Sequence, residues 1–183
     1  MPGAHLCILG VDTALRKTGY GVIRGAGGSW RADDHGVICN PSGRPVAEAL
    51  RHLHDEIAAL LRRYRPRAVA VEGIFHFRNA RAALALGQAR GAVLVACAEA
   101  KVEVYEYAPR EVKRSATGYG QAEKPQVARM VAAMLGLEEP PPADAADALA
   151  LALCHANAGT ARALGLARRL CGPADREAPE TVP

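Results

Sequence analysis

Two short, largely apolar segments of this chain each end at one acidic residue. The first, ILGV at residues 8–11, is followed by Asp12, and the second, RAVAV at residues 67–71, is followed by Glu72. Short apolar runs bounded by turn-forming residues are typical of buried strands. In sheets that combine strands with helical connections, ligand sites form where strands end and loops begin. Asp12 and Glu72 are therefore candidates for one shared site.

The spacing of apolar residues predicts five strands and four helices. The strands are expected over residues 6–11, 19–24, 31–39, 67–71 and 102–107. The helices are expected over residues 46–61, 79–100, 122–135 and 143–155. Three antiparallel strands followed by alternating helices and strands indicate an α/β fold, in which a mixed five-stranded sheet carries helices on both faces. The periodicity is lost after about Asn157, so we expect one domain over residues 1–157 and a mobile tail over residues 158–183.

The bulk composition is that of a globular protein with a mild basic bias. The chain has 183 residues, a formal net charge of +4 and a sequence pI of about 8.9, which permits a polyanionic partner without requiring one. Its five cysteines are odd in number and lack C-x-x-C spacing, which favours reduced thiols. The N-terminus does not resemble a signal peptide, and the longest apolar run, residues 92–98, is too short to span a bilayer. We therefore expect a cytoplasmic protein without a membrane partner.

Two further acids, Asp144 and Asp147, lie three residues apart in the last predicted helix. They follow the prolines at 140–142 and share one face of the helix. Taken alone, this pair favours a structural interpretation, in which acids in the first turn interact with the helix dipole. Glu72 weakens that interpretation, because it has apolar neighbours and no Lys or Arg within four residues. A buried glutamate of this kind needs a cation from elsewhere in the fold.

The four acids together favour a metal site. Carboxylates that converge repel one another unless a cation holds them. An oxygen-only ligand set suits Mg²⁺ or Mn²⁺ rather than zinc, and two such ions about 4 Å apart can promote phosphodiester hydrolysis. We therefore predict two ions of Mg²⁺ or Mn²⁺ per site. The predicted catalytic ligands are Asp12, Glu72, Asp144 and Asp147.

Five segments of the chain, taken in order, resemble the RuvC family of Holliday-junction resolvases. They are GVDTALRKTGYGVI, VEGIF, LGQARGAVLVA, REVKRSATGYGQAEKPQVARMV and ADAADALALALCH, and they extend from about Leu6 to Asn157. The resemblance implies a ribonuclease-H-like nuclease domain and a homodimer that nicks four-way DNA junctions with Mg²⁺ or Mn²⁺. It also implies, on its own, docking on a RuvA–RuvB branch-migration complex.

The functional residues of the family fall on individual positions of this sequence. Its catalytic acids and its two functionally important lysines fall on Asp12, Glu72, Asp144, Asp147, Lys113 and Lys124. The sequence departs from the family at Thr13 and Ala14, where the family usually has Pro-Gly. Proline and glycine fix turn geometry, so we expect this departure to change the shape of the loop and not the ligand.

Both phenylalanines, Phe75 and Phe77, follow Glu72 closely in the stretch IFHFRNAR. One interpretation is that they pin this loop onto the core. For Phe75 the functional interpretation is stronger, because an aromatic side chain beside a nuclease site can stack on an unpaired base. RuvC proteins carry an aromatic at this position that resembles a base-stacking wedge.

Basic residues gather near the proposed site. A run of charge is usually a solvated face, and we interpret RRYRPR at residues 62–67 in that way. Lys113 and Lys124, however, bracket a glycine-containing loop at residues 117–121, which could follow a phosphate backbone. The predicted DNA contacts are Phe75, Arg78, Arg81, Arg110, Lys113, Arg114 and Lys124.

Three other classes of protein share parts of this pattern. Actin-like ATPases and sugar kinases have a similar sheet, but they need a second glycine-rich phosphate loop and two lobes of about 150 residues or more each. A different ribonuclease-H-like nuclease, acting on RNA–DNA hybrids or on single strands, has the same acids, and only the Phe75 and Lys113–Lys124 segments argue against it. A non-catalytic junction-binding protein would lack at least one acid, and all four are present.

The predicted helix at residues 79–100 is too apolar all round for a surface helix. It therefore requires cover on more than one face. Gly87 and Gly91, four residues apart, leave a smooth strip where a second backbone could approach, which predicts the interface of a two-fold homodimer. The alternative is that the helix lies sandwiched within its own domain.

Overall fold

The computed structural model of the protein describes residues 5–73, 79–159 and 168–171. The strands within these residues are β1 (Leu6–Asp12), β2 (Lys17–Ala26), β3 (Ser29–Cys39), β4 (Ala68–Glu72), β5 (Glu103–Tyr107) and β6 (Arg168–Cys171). The helices are α1 (Val46–Tyr64), α2 (Ala80–Glu99), α3 (Pro109–Thr117), α4 (Lys124–Leu135) and α5 (Ala143–Asn157). Each predicted strand and helix has a counterpart within a few residues of its predicted bounds, and α3 and β6 are additional.

The strands form one mixed sheet in the order β3-β2-β1-β4-β5-β6. Strands β1, β2 and β3 are antiparallel, as their short connections require, whereas β4 runs parallel to β1 and β5 runs parallel to β4. Helix α1 precedes β4 and helix α2 precedes β5, so each parallel strand is reached through a helical crossover. The predicted α/β mixed sheet is confirmed.

Strand β6 makes the sheet six-stranded and corrects the expected number of five. It pairs antiparallel with β5, with Cys171 opposite Val104. Four residues, two of them arginines, are too short a run to give a strand signal. The strand falls within the predicted tail, of which only Ala158, Gly159 and residues 168–171 belong to the described part of the chain.

Helix α3 is not among the predicted helices, and it ends where the predicted loop at residues 117–121 begins. Thr117 is its last residue, and Gly118, with a φ of 77°, ends it in the left-handed region. Its buried residues are Val112 and Ala116, which lie four apart in an otherwise polar stretch. One narrow apolar face over nine residues is too weak a periodic signal to predict a helix.

Helices cover both faces of the sheet, as predicted. Helices α1 and α2 pack on one face, where Leu53, Ile57 and Val93 are fully buried. Helices α3, α4 and α5 pack on the other face, where Val131 and Leu149 are fully buried. Helix α5 packs mainly on β1 and β2, and its first turn lies over Gly19, near the start of β2, which pairs with Asp12 at the end of β1.

Glycines in β1 and β2 allow α5 to approach the sheet closely. A Cβ atom on Gly10 would lie 1.9 Å from the carbonyl oxygen of Ala148, and one on Gly19 would lie 1.9 Å from that of Asp144. Real Cβ contacts are never this short, so any side chain at these positions would push the helix away. The acidic start of α5 is thereby held against the end of β1.

Helix α2 is long and apolar enough, by length and composition alone, to cross a membrane. It packs instead on α1 and the sheet, with Ala89, Val93 and Cys97 buried in the core. Its opposite face is open, since Leu84 is 63% exposed and Val95 is 51% exposed. The helix therefore belongs to the folded domain, which covers only one of its faces.

We expect Gly10→Ala to destabilise the protein by about 3 kcal/mol and to lower its Tm by roughly 10 °C, because the added methyl group collides with the backbone of α5. Gly43→Ala is the matched control, since a Cβ at Gly43 has no atom within 4 Å. Thermal unfolding followed by circular dichroism measures both. Equal Tm values for the two variants would contradict the close packing of α5.

Candidate active site

Asp12 and Glu72 are the last residues of the neighbouring parallel strands β1 and β4. The pairing of Val11 with Val71 places the next residue of each strand at the same edge of the sheet. Asp147 reaches this edge from α5, which lies across β1. The three carboxylates line one cleft of about 100 Å³. The structure thus brings three of the four predicted acids together.

Two helices supply the other charged side chains of the cleft. Lys113 comes from α3, and Lys124 is the first residue of α4. The walls are apolar and are formed by Pro109, Val112, Val127, Ala150 and Leu151. Helix α3, which the sequence pattern does not reveal, therefore forms one side of the site.

The carboxyl group of Asp12 is strongly perturbed. Burial, assisted by the negative charges of neighbouring acids, raises the pKa of Asp12 to about 7. The contributing acids are Asp147, Glu72 and Asp144, and the positive charge of Lys124 acts against them. Carboxylates that raise one another's pKa attract cations, because a cation relieves their repulsion.

Glu72 differs from the expectation of a buried, unpaired acid. Its side chain is exposed at the end of β4, where it lines the cleft. Partial loss of hydration and the charge of Asp147 nevertheless raise the pKa of Glu72. The cations Lys124, Arg90 and Lys113 act in the opposite direction. The sequence led us to expect a cationic partner for Glu72, and three such side chains come from three separate helices.

Arg90, on α2, is a residue of the site that the sequence analysis overlooks. Its guanidinium donates a hydrogen bond to the backbone carbonyl of Glu72 and lies 3.4 Å from the carboxylate of Glu106. Only 8% of the residue is exposed. A lone arginine in the apolar segment LGQARGAVLVA is the signal that could have located it, since arginine is seldom buried unless paired. Arg90 therefore fixes the backbone where β4 ends.

Lys124 and Asp147 form an ion pair inside the cleft. Lys124 Nζ donates a hydrogen bond to Asp147 Oδ2 at 2.7 Å. This bond, with the charges of the nearby acids, raises the pKa of Lys124, so the acids favour the charged ammonium group. The expectation that both acids of α5 lie in its first turn is wrong, because only Asp144 does. The helix dipole can therefore account for Asp144 but not for Asp147.

Asp144 lies at the start of α5, outside the lining of the cleft. It is close enough for its charge to raise the pKa of Asp12. The fourth predicted ligand therefore lies beside the other three, on the same helix as Asp147 and one turn closer to its beginning.

The donor set of the cleft fits a hard divalent cation. Every candidate ligand is a carboxylate, and oxygen ligands of this kind bind Mg²⁺ and Mn²⁺. Burial and the repulsion of neighbouring acids raise the pKa of Asp12, and a bound cation would relieve that repulsion. Among the residues that the structure describes, no three His, Cys, Asp or Glu side chains are arranged to hold a metal ion. In the described side-chain positions, the acids therefore share a cleft without forming a closed set of ligands.

The predicted DNA contacts are distributed over several parts of the molecule. Two of them, Phe75 and Arg78, lie outside the described residues, and so does the second phenylalanine, Phe77. Arg110 and Arg114 are exposed on α3, the helix that also carries Lys113. Arg81 is exposed at the start of α2 and lines a separate groove beside the loop at residues 13–16.

Taken together, the sheet order and the acids at the ends of β1 and β4 define a nuclease of the ribonuclease-H-like class. The family model for crossover junction endodeoxyribonuclease RuvC matches residues 8–155. The chain therefore belongs to the RuvC family of crossover junction endodeoxyribonucleases, which depend on divalent metal ions.

Relatives in two bacteria and one solved structure illustrate the similarity. The chain is 49% identical over 156 residues to RuvC of Myxococcus xanthus, a match that covers 84% of this chain and 82% of the relative. It is 42% identical over 153 residues to RuvC of Halothermothrix orenii, covering 83% and 93% of the two chains. A structure of T. thermophilus RuvC in complex with a Holliday junction substrate aligns with a TM-score of 0.84 at 41% identity, covering 91% of this chain and 100% of that one.

We expect the stability of the protein to depend on pH through Asp12. Because the pKa of Asp12 is raised from 3.8 to about 7, the folded state holds a proton that the unfolded chain releases between these values. The resulting stabilisation is complete below about pH 4 and is lost as the pH rises through about 7. Asp12→Asn, which cannot ionise, should therefore melt a few degrees above the wild type at pH 8 in EDTA, and the difference should shrink towards pH 4.

Differential scanning fluorimetry in metal-free buffers measures this difference. Asp55→Asn, which removes an exposed carboxylate from α1, is the control for the loss of one charge. A Tm for Asp12→Asn that equals the wild-type value at pH 8 would contradict the repulsion within the acid cluster.

Proposed function

We propose that the protein resolves four-way (Holliday) DNA junctions by paired, metal-dependent hydrolysis of phosphodiester bonds, in homologous recombination and DNA repair. The observation that carries the proposal is the cleft in which Asp12, Glu72 and Asp147 meet Lys113 and Lys124. Acids that can hold divalent ions, next to ammonium groups that can contact a phosphate, are the groups that such hydrolysis needs. The similarity to T. thermophilus RuvC, which was solved with a Holliday junction substrate, supports a junction as the substrate.

The acid cluster would hold Mg²⁺ or Mn²⁺, with two ions per site. Its ligands would be Asp12, Glu72, Asp144 and Asp147. Ions bound there would activate a water and stabilise charge on the leaving oxygen. The role of the protein itself is to position the carboxylates, which are carried by β1, β4 and α5. Ligands on regular elements are held more rigidly than ligands on loops.

Lys113 and Lys124 would hold the phosphate of the strand to be cut. Both lysines line the cleft with the acids, and the acids around Lys124 favour its charged form by raising its pKa. Lys124 also orients the carboxylate of Asp147 through their hydrogen bond. We assign the flanking DNA contacts to Phe75, as the stacking aromatic, and to Arg78, Arg81, Arg110 and Arg114.

The protein would act as a homodimer, because two nicks on strands of like polarity need two identical sites related by a two-fold axis. The open face of α2 is the proposed interface. Its surface stripe consists of Leu84, Gly87, Gln88, Gly91 and Val95, at three- and four-residue spacing. No atom of the described residues lies within 4 Å of a Cβ built on Gly87 or Gly91, which leaves room for a second helix to approach. From its family membership, we also propose that the protein is cytoplasmic and that it works with the RuvA–RuvB complex.

With Mg²⁺ or Mn²⁺, the protein should cut a four-way junction at paired, symmetric positions and leave matched duplex DNA intact. Asp12→Asn, Glu72→Gln and Asp147→Asn should each reduce cleavage by about a hundredfold or more, because metal ions contribute several kcal/mol to this chemistry. Junction affinity should remain within about twofold, since basic residues supply it. Denaturing gels measure cleavage, and mobility-shift gels with Ca²⁺ measure binding.

Asp55→Asn is the control for these variants and should cut like the wild type. Preferential cleavage of an RNA–DNA hybrid would identify a different nuclease of the same class. A folded acid variant that loses junction binding in parallel with cleavage would contradict the assignment of the acids to the metal.

The dimer proposal predicts that Gly91→Glu dissociates the protein into monomers. The new carboxylate would enter the apolar stripe of α2, where its burial against a second copy is unfavourable. Ala59→Glu places the same charge on the exposed face of α1 and should leave the dimer intact. Light scattering coupled to size exclusion measures the mass. A dimeric Gly91→Glu, or a monomeric wild type that makes paired nicks, would disprove this interface.

A further inference from the structure

The loop that follows Asp12 is held by side chains from outside it. Residues 13–16 join β1 to β2 and include no proline or glycine. Thr13 does not anchor the loop, because its hydroxyl oxygen is buried and has no hydrogen-bond partner among the described residues. The hydroxyl of Thr18, which is 1% exposed, instead bonds to both the N–H and the carbonyl of Ala14.

Asn40, directly after β3, supplies a second anchor. Its Nδ2 group donates hydrogen bonds to the carbonyl oxygens of Leu15 and Ala49, each at 3.0 Å. Its backbone N–H donates to the carbonyl of Arg16 at 2.8 Å. One residue thus binds two consecutive carbonyls of the loop and joins them to the first turn of α1.

The orientation of the Asn40 side chain is fixed at both ends. Its Oδ1 atom accepts hydrogen bonds from Arg44 at 2.7 Å and from His52 Nδ1 at 3.0 Å. Two donors therefore face the oxygen and two acceptors face the nitrogen. If the amide group were flipped, its N–H donors would face donors and its oxygen would face carbonyl oxygens. The residue is 5% exposed, and its side-chain bonds are buried or partly buried, which limits competition from water.

We infer that Asn40 is a positioning residue for the cleavage reaction, which holds the 13–16 loop and, through it, the carboxylate of Asp12. The inference rests on the proposed role of Asp12 as a metal ligand. β1 fixes the backbone on the N-terminal side of Asp12, and the loop fixes it on the other side. Without the Leu15 anchor, the peptide that leaves Asp12 can rotate, and the carboxylate loses its direction towards the cleft.

A purely structural role for Asn40, as a tie between α1 and the sheet, makes a different prediction. Such a tie would change the stability of the whole domain and leave the metal affinity of the folded fraction unchanged. A positioning role changes the affinity of the folded protein for metal, as partners that orient metal ligands do.

The test compares Asn40→Ala and Asn40→Asp with Ile57→Val, which loses a buried methylene group on α1 but none of the hydrogen bonds that hold the loop. Mn²⁺ binding to the DNA-free protein is measured by electron paramagnetic resonance, at a temperature where every variant is folded. We expect the Kd for Mn²⁺ to rise about tenfold in Asn40→Ala. It should rise further in Asn40→Asp, whose second oxygen faces two carbonyls. Ile57→Val should bind Mn²⁺ like the wild type.

A second readout is the dependence of cleavage on Mn²⁺. Asn40→Ala should need about tenfold more Mn²⁺ for half-maximal rate and should recover the wild-type kcat at saturation. If Asn40→Ala does not fold, Thr18→Val removes the Ala14 anchor with little change of shape and should give the same shift. An unchanged Kd in the folded variants, or an equal shift in Ile57→Val, would overturn the inference.

Asp12→Asn in the same titration separates the inference from its premise. Weaker Mn²⁺ binding in Asp12→Asn together with normal binding in Asn40→Ala overturns the positioning role alone. Normal binding in both variants overturns the metal role of Asp12 as well.

Discussion

The site depends on how closely α5 approaches the sheet. Gly10 and Gly19 have hydrogen atoms where any other residue has a Cβ carbon. Carbonyl oxygens of α5 lie only 1.9 Å from the positions that these Cβ carbons would take. This packing carries Asp147 from a distant part of the sequence to the end of β1. A helix at an ordinary distance from a sheet of larger residues would leave the acid of α5 too far from Asp12 to share a cleft. The spacing of one helix therefore determines whether two strand-end acids become a site.

Close packing also creates an electrostatic cost, which the surrounding cations reduce. Burial and neighbouring carboxylates raise the pKa of Asp12 to about 7, so the cluster opposes its own ionisation. Lys124 offsets part of this repulsion through its ion pair with Asp147, and Arg90 acts on Glu72 from the other side of the sheet edge. Sites that concentrate like charge are expected to lower stability and to gain affinity for ions of opposite charge. The same repulsion therefore serves function while it limits stability.

The sequence predicted the features that have a short-range signal. Apolar runs that stop at an acid located Asp12 and Glu72, and helical spacing located α1, α2, α4 and α5. Helix α3 and β6 were missed because short, mostly polar segments acquire their structure from the surface on which they pack. The exposure of Glu72 and the role of Arg90 could not be predicted, since both depend on which helix covers the end of β4. Phe75, which the sequence pattern singles out, lies outside the described residues.

The buried polar side chains show how the fold holds the backbone of the site. Among the residues that the structure describes, they are Thr18, Asn40, Arg90 and His155. The first two bind the loop after Asp12, and Arg90 binds the carbonyl of Glu72. His155 binds the hydroxyl group of Tyr107, whose backbone carbonyl accepts from the N–H of Gly73. A buried polar group adds little stability beyond what an apolar residue of the same shape would give, and it costs about 1–3 kcal/mol if its partner is lost. The contacts of Thr18, Asn40 and Arg90 with the backbone next to the two strand-end acids are therefore better explained by the geometry that the acids require than by the stability of the core.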